Sequence, residues 1–272
     1  MTSVAIVTGA GSGIGAACAE RLANTVDVLL LADVSEAGVT AKATALAGQG
    51  AACEPVVVDV TEANAVRDLV TRASSRGTLR SVAHVAGISP TMGGWRRILD
   101  VDLVGTARLV DAVLPLAEAD TVIVCFASMA AYLNVQTNPA ADAVIDDPLA
   151  DGFFEAYAAA VGEPAPDPGI AYAWAKRGVQ RLVRRHAAAF GAVGARICSV
   201  SPGTIDTPMG RQEYEQQPMM KVLEDMTPLH RMGRADELAA VVSFLLSDDA
   251  SFVTGVDVLA DGGACAAVGV LD

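Results

Sequence analysis

Seven short runs rich in apolar and β-branched residues punctuate the chain, at 4–7, 27–31, 55–58, 81–85, 121–126, 195–200 and 256–259. Most are continuously apolar and lack inside–outside alternation. Such a pattern predicts parallel strands covered on both faces. Between them lie longer Ala-rich stretches that suit crossover helices, for example 13–23, 62–74, 95–119, 171–191 and 235–246. Strand and helix alternate over the whole chain, which predicts a doubly wound α/β fold. Neither a linker nor a solenoid-length repeat interrupts it, so residues 1–272 are expected to form a single domain. Two long connections break the rhythm. One, at about 130–169, carries Pro139, Pro148, Pro164, Pro166 and Pro168; the other spans about 204–234. Both follow the C-terminal end of a strand, where ligands bind in open α/β sheets.

Composition narrows the picture. Hydrophobic residues make up 52% of the chain, enough to bury a sizeable core. The net charge of −13 argues against nucleic acid and anionic membrane surfaces as partners. No apolar run is long enough to span a bilayer, and the N-terminus has no basic leader pattern, so a cytoplasmic location is expected. The five cysteines show no metal-ligand or redox spacing, and three histidines make a metal site unexpected. Between Arg108 and Lys176 there is no Lys or Arg but there are ten acids. They form either a solvated acidic surface or a side of the site that disfavours anionic substrates.

The first strand runs into Thr8-Gly9-Ala10-Gly11-Ser12-Gly13-Ile14-Gly15 and then a helix. In that context Gly9 suits a tight turn, Gly13 a close approach to a pyrophosphate, and Gly15 a close helix–sheet contact. The helix N-terminus supplies free N–H donors. Asp33 follows the second strand, 20 residues after Gly13. It can accept from the adenosine ribose hydroxyls and repel a 2′-phosphate, which favours NAD over NADP; alternatively it is a helix cap. Ser12 occupies a place where Arg or Lys would serve a 2′-phosphate.

Tyr172 and Lys176 are four apart on a helical stretch and share a face. An adjacent ammonium is expected to lower the phenol's pKa, and the positive ring of an oxidised nicotinamide to add to this. Tyr172 would then exchange a proton with a substrate hydroxyl while the cofactor exchanges a hydride. Lys176 could also hold the nicotinamide ribose. Ser128, at the end of the fifth strand, can hydrogen-bond the substrate oxygen; by itself it would read as a strand-end capping serine.

Taken together these residues resemble the classical short-chain dehydrogenase/reductase family. The matching elements are Thr8 to Gly15, Asp33, Asp59-Val60, Ala86-Gly87, Ser128, Tyr172/Lys176, the stretch from Pro202 to Pro208, and Asp261-Gly262-Gly263. The resemblance implies a Rossmann fold with a seven-stranded parallel sheet in the order 3-2-1-4-5-6-7. It implies that Gly9, Gly11, Ser12, Gly13, Ile14, Gly15, Asp59, Val60, Ala86, Gly87, Pro202, Gly203, Ile205 and Thr207 contact the dinucleotide, and that the protein forms a homodimer or homotetramer. Two positions depart from the pattern. His84 and Val85 precede Ala86 where the family often has asparagines, and His84 is expected to be structural. Asp102 stands where a mid-helix asparagine usually supports a proton relay. Ionised, it cannot donate as an amide does, though Lys176 could compensate its charge.

The 44 positions from Ser128 to Tyr172 exceed the usual spacing. The insertion and the tail from Met232 resemble the bacterial 3α-hydroxysteroid dehydrogenase/carbonyl reductase type, in which an insertion here contributes to a subunit interface. The second connection is expected to be a substrate lid. It carries Met209, Met219, Met220, Met226 and Met232, which either adapt to an apolar ligand or simply fill the core. The leading expectation is an NAD-dependent enzyme for a bulky, uncharged secondary alcohol or ketone. The alternatives are an NADPH-preferring 3-ketoacyl reductase, for which Arg211 and Arg231 could bind phosphates, and a non-catalytic dinucleotide-binding sensor.

Overall fold

A computed structural model describes residues 1–133, 137–162 and 167–269; Pro164 and Pro166 lie outside them. Nine strands form in chain order: β1 (Ser3–Thr8), β2 (Val28–Asp33), β3 (Cys53–Val57), β4 (Thr78–His84), β5 (Val122–Phe126), β6 (Arg196–Pro202), β7 (Ile205–Asp206), β8 (Gly233–Arg234) and β9 (Asp257–Ala260). Seven of them make one parallel sheet in the order β3-β2-β1-β4-β5-β6-β9. This is the expected topology. The seventh sheet strand is β9 because the short pair β7 and β8 intervenes in the chain.

The continuous apolar runs are explained by two cores. On β1, Val4 and Ile6 face the helices Ala63–Arg76, Gly105–Val113 and Pro168–Ala192. Ala5 and Val7 face Gly13–Leu22, Glu36–Ala47 and Ala235–Leu246. A strand covered on both sides has no polar face to offer. The cysteines lie within this packing: Cys18, Cys125, Cys198 and Cys265 are buried free thiols and Cys53 is half-buried. No described helix is long and apolar enough to cross a membrane.

The helix expected at 95–119 is not uniform. It begins as Trp95–Leu99, widens into a π turn at Asp100–Val104, and resumes as Gly105–Val113. Such widened turns recur at functional positions, and this one carries Asp102.

The first long connection is mostly helical and part of the core. Helix Pro139–Ile145 is capped by Asn138, whose side chain accepts from Ala140 and Ala141 N–H. It buries Ala141 and Ile145, while helix Phe153–Val161 buries Phe153 and Tyr157. Tyr157 stacks on Trp95 with ring centroids 5.9 Å apart. The insertion's acids do not crowd the site. Asp142 pairs with Arg177 at 2.7 Å, and Asp146 with Arg181 at 2.6 Å and Arg185 at 3.0 Å. These arginines are on the long helix Pro168–Ala192, which Asp167 caps and Pro168 opens. Asp142 and Asp146 are therefore complemented by the basic face of the neighbouring helix, and no described acid of the insertion lines the cavity, which favours the reading as a surface over that of a side of the site.

The second connection is pinched at its base, where β7 and β8 pair. Between them lie helices Pro208–Gln216 and Met219–Met226, the latter with no buried residue.

Guanidiniums hold Asp142 and Asp146 below the ordinary carboxylate range, Arg177 acting chiefly on the first and Arg181 on the second. Their contribution is complete above the unfolded value of about 4 and fades as pH falls below it. The double substitution Asp142→Asn/Asp146→Asn is expected to cost roughly 1–2 kcal/mol at pH 7. Urea unfolding at pH 7 and pH 3 checks this, and the difference between parent and variant should shrink at the lower pH.

Candidate active site

A cavity of about 330 Å³ opens at the C-terminal ends of β1, β2, β4, β5 and β6. One half is built by the turn after β1. Gly9 has φ +66°, a left-handed conformation, and a Cβ there would meet Ala86 N at 2.9 Å. Gly15 lies so close to the Gly9 carbonyl that a Cβ would fall 2.0 Å from its oxygen. Both expected glycine roles are thus realised. Gly13, Ser12, Ile14 and Gly15 line the cavity, and Ser12 stands at the helix N-cap with its hydroxyl free of any capping bond. Gly11 does not line it. Its N–H donates to Asp33 Oδ2 at 2.8 Å, so Gly11 positions Asp33 instead.

Asp33 lines the cavity at the end of β2, its Oδ1 accepting from Ser35 N–H at 2.8 Å. The following helix is capped by Ser35, not Asp33. Asp59 and Val60 lie beside it, with Asp59 fixed by Thr61 N–H at 2.9 Å and by Arg97 at 3.3 Å. Ala86, Gly87, Pro202, Gly203, Ile205 and Thr207 complete this wall.

Beneath it runs a buried chain of hydrogen bonds. Thr8 Oγ1 accepts from the Val85 and Ala86 N–H groups at 3.1 Å, leaving its proton for His84 Nδ1 at 2.8 Å. His84 Nε2–H then donates to Thr106 Oγ1 at 3.1 Å, and Thr106 donates to the Asp102 carbonyl at 2.8 Å. Burial, aided by Lys176, lowers the His84 pKa to about 3. The ring is neutral and structural, as expected.

The other half of the cavity holds Ser128, Tyr172 and Lys176. Tyr172 and Lys176 come from one face of helix Pro168–Ala192, and Ser128 lies just past β5. Lys176 is 4% exposed. It donates to the Phe126 carbonyl at 3.1 Å and pairs with Asp102 Oδ1 at 3.2 Å. Its Nζ is 5.5 Å from the Tyr172 ring centroid. Asp102 is wholly buried and lies behind the cavity wall. Oδ1 also accepts from Ile88 N–H at 3.0 Å, while Oδ2 has no partner. Burial raises its pKa against the opposing pull of Lys176. A Cβ on Gly87 would lie 2.6 Å from Asp102 Oδ1 and would displace the carboxylate that Lys176 and Ile88 N–H hold.

The expected lowering of the Tyr172 pKa by Lys176 is not found. Burial raises it, and the carboxyls of Asp102 and Glu213 raise it further; a hydrogen bond with Ser128 acts the other way. The Lys176 ammonium is committed to Asp102 and a carbonyl, so the phenol stays protonated. Ser128 also accepts from Ala130 N–H at 3.2 Å, so capping and facing the cavity are compatible.

Sequence reasoning missed Glu213. It lines the cavity from helix Pro208–Gln216, and burial followed by Asp102 raises its pKa to about 7. Its place four residues after Met209 could have revealed it. The methionine reading needs correction too. Of the five in the second connection only Met209 lines the cavity, joined by Met92; Met219 and Met226 are exposed, since their helix turns Leu223 rather than its methionines toward Met129 and Cys265.

The short chain dehydrogenase profile matches residues 3–140, and that of Enoyl-(Acyl carrier protein) reductase matches 155–265. The chain is 32% identical over 269 residues to cis-4-hydroxycyclohexanecarboxylate dehydrogenase of Sinomonas cyclohexanicum, covering 96% of this chain and 95% of that one. It is 28% identical over 268 residues to 3-alpha-hydroxysteroid dehydrogenase/carbonyl reductase of Comamonas testosteroni, covering 96% of each. The crystal structure of levodione reductase superposes with a TM-score of 0.76 at 29% identity, covering 97% of this chain and 98% of that one. The chain belongs to the short-chain dehydrogenase/reductase family, whose members are oxidoreductases that bind a nicotinamide dinucleotide.

Asp102→Leu would leave the Lys176 ammonium buried without its carboxylate, at an expected cost of about 3–5 kcal/mol. Asp102→Asn keeps an oxygen for Ile88 N–H and Lys176 and should cost clearly less. Urea denaturation of both variants checks the order.

Proposed function

We propose that this protein is an NAD-dependent dehydrogenase or reductase of a cyclic or steroid-like secondary alcohol or ketone. The observation that carries the reading is that Ser128, Tyr172 and Lys176 share one cavity with the glycine turn and Asp33. A dinucleotide fits the residues present. Gly9 and Gly15 allow a backbone approach that any Cβ would block, and the helix after Ser12 aims its free N–H groups at the cavity. When bound, that cofactor supplies the source or sink of the hydride and, when oxidised, a positive charge.

The protein's own residues do the rest. Ser128 would hydrogen-bond the substrate oxygen, and Tyr172 would exchange its proton with that oxygen. As a protonated phenol, Tyr172 is set up to donate, which is the direction of ketone reduction. Alcohol oxidation needs the phenolate, and a cationic nicotinamide would favour it. Lys176 holds the tyrosine's surroundings in place through Asp102 and Phe126. Asp102 would act as an acceptor that fixes Lys176 and the Ile88 N–H, in place of an asparagine amide.

Asp33 supports NAD. Its carboxylate would accept from ribose hydroxyls and repel a 2′-phosphate. The nearest cavity guanidinium, Arg97, is paired with Asp59. Arg211 pairs with Asp206 and Arg231 with Glu237, which leaves neither as a free phosphate clamp for a carrier thioester. The ring compounds named for the Sinomonas and Comamonas relatives support a cyclic substrate. In this reading residues 204–234 form the substrate lid, the 130–169 insertion stiffens the catalytic helix, and a homo-oligomer is the working assembly.

A panel of cyclic and steroid alcohols, their ketones and short acyl thioesters, read by NADH absorbance in both directions, tests the proposal. Cyclic substrates should be turned over faster than thioesters, and Tyr172→Phe should lose at least about 100-fold in kcat with NADH affinity kept. NAD should bind more tightly than NADP, and Asp33→Ala should narrow that gap in a fluorescence titration. Equal affinities in the parent would remove Asp33 from its role.

A further inference from the structure

One acid in the cavity has no side-chain hydrogen-bond or ion-pair partner among the described residues. Glu213 lines it with Tyr172, Ser128, Ile88, Met92 and Met209. Nearby acids with partners do not line the cavity: Asp206 pairs with Arg211, Glu224 accepts from the Tyr214 hydroxyl, and Glu237 pairs with Arg231 and Arg234, while Glu215 is exposed. The cations that also line the cavity are engaged as well, Lys176 with Asp102 and Arg97 with Asp59. Glu213 therefore faces apolar side chains and the position of the substrate with its hydrogen-bonding capacity unused. A partly buried carboxyl in that condition wants a donor.

We propose that Glu213 accepts a hydrogen bond from a second hydroxyl of the substrate, so that ring diols and hydroxyketones are preferred and ring carboxylates are rejected. The inference rests on the cyclic-alcohol reading above and specifies its substrate further. A hydroxyl suits the site because either protonation state of a carboxyl offers an oxygen to accept. A substrate carboxylate meets no free cation there. Asp102 acts on Glu213 from across the cavity, which Tyr172, Lys176 and Arg97 line; its own helix carries Arg211, Tyr214 and Glu215, and the elements packed on that helix carry Asp206, Lys221, Glu224 and Asp225. Burial and Asp102 place its titration at about 7. It is neutral below that pH and anionic above it, so rejection of a carboxylate should strengthen from pH 6 to pH 8.

The test measures binding of cyclohexane-1,4-diol, cyclohexanol and 4-hydroxycyclohexanecarboxylate to the full chain saturated with NADH, a state in which alcohols bind without reacting. The parent, Glu213→Gln and Glu213→Leu are compared, and kcat/KM with NAD is taken in parallel. The parent should bind the diol about tenfold more tightly than cyclohexanol. Glu213→Leu should erase that preference while NADH affinity stays. Carboxylate affinity should fall between pH 6 and pH 8 in the parent and stay level in Glu213→Gln, an arm that decides the matter even if Glu213→Leu fails to fold. Equal binding of diol and cyclohexanol by the parent, or the same pH response in Glu213→Gln, overturns the assignment. Absent turnover with the binding order intact overturns the proposed reaction and leaves the assignment of Glu213 standing.

Discussion

The buried ammonium of Lys176 is the point on which the C-terminal side of the sheet converges. A lysine that is 4% exposed must be compensated on all sides or lose its charge. Three separate parts of the chain provide for it: the Phe126 carbonyl at the end of β5, the Asp102 carboxylate on the π turn, and the Tyr172 ring one helical turn back. Each compensation fixes another element. Asp102 also receives Ile88 N–H, which sets the course of the chain after β4, and a side chain at Gly87 would push that carboxylate aside. The Asp102 carbonyl ends the hydrogen-bond chain that starts at Thr8, so the same turn is tied to the glycine loop. One buried charge thus links the nucleotide half of the cavity to the half that carries Tyr172.

The sheet and the glycine loop were legible because their signals are local. An uninterrupted apolar run implies cover on two faces, and a strand–glycine–helix junction leaves few backbone geometries. Strand limits shifted by a few residues, as at Thr78–His84, where Thr78 and Arg80 lengthen a strand whose apolar centre alone was visible. Tyr172, Lys176 and Ser128 could be placed in one site because helical spacing and strand ends fix directions. The state of the phenol could not be read this way. The four-residue spacing puts an ammonium near Tyr172, but it does not show that Asp102 and Phe126 hold that ammonium, nor that burial governs the hydroxyl.

The same limit explains the charges. The acids of the insertion suggested either a solvated surface or a side of the site because nothing nearby in sequence neutralises them. Their partners, Arg177, Arg181 and Arg185, come one helical turn apart on the next helix. Glu213 is the converse case: its polar stretch, Gly-Arg-Gln-Glu-Tyr-Glu, masks it, and only the four-residue spacing from Met209 points it toward the cavity. The methionines failed for a related reason. Composition counts residues in a segment, whereas lining a cavity depends on which side of one short helix each occupies.

The pairing of β7 with β8 has a bearing on how such a protein changes over generations. It closes the base of the segment between Asp206 and Gly233, whose other ties to the frame are a few contacts such as Leu229 N–H to the Gly262 carbonyl, Gln212 to Thr91 and Leu223 against Met129. Loop-closure entropy grows only slowly with length, about 0.6 kcal/mol per doubling. Insertions, deletions and exchanges within the segment are therefore nearly neutral for the frame while they remodel one wall of the cavity. The clasp makes the segment an interchangeable cassette, through which a lineage can move among ring-shaped substrates while the buried Lys176 network behind it stays unaltered.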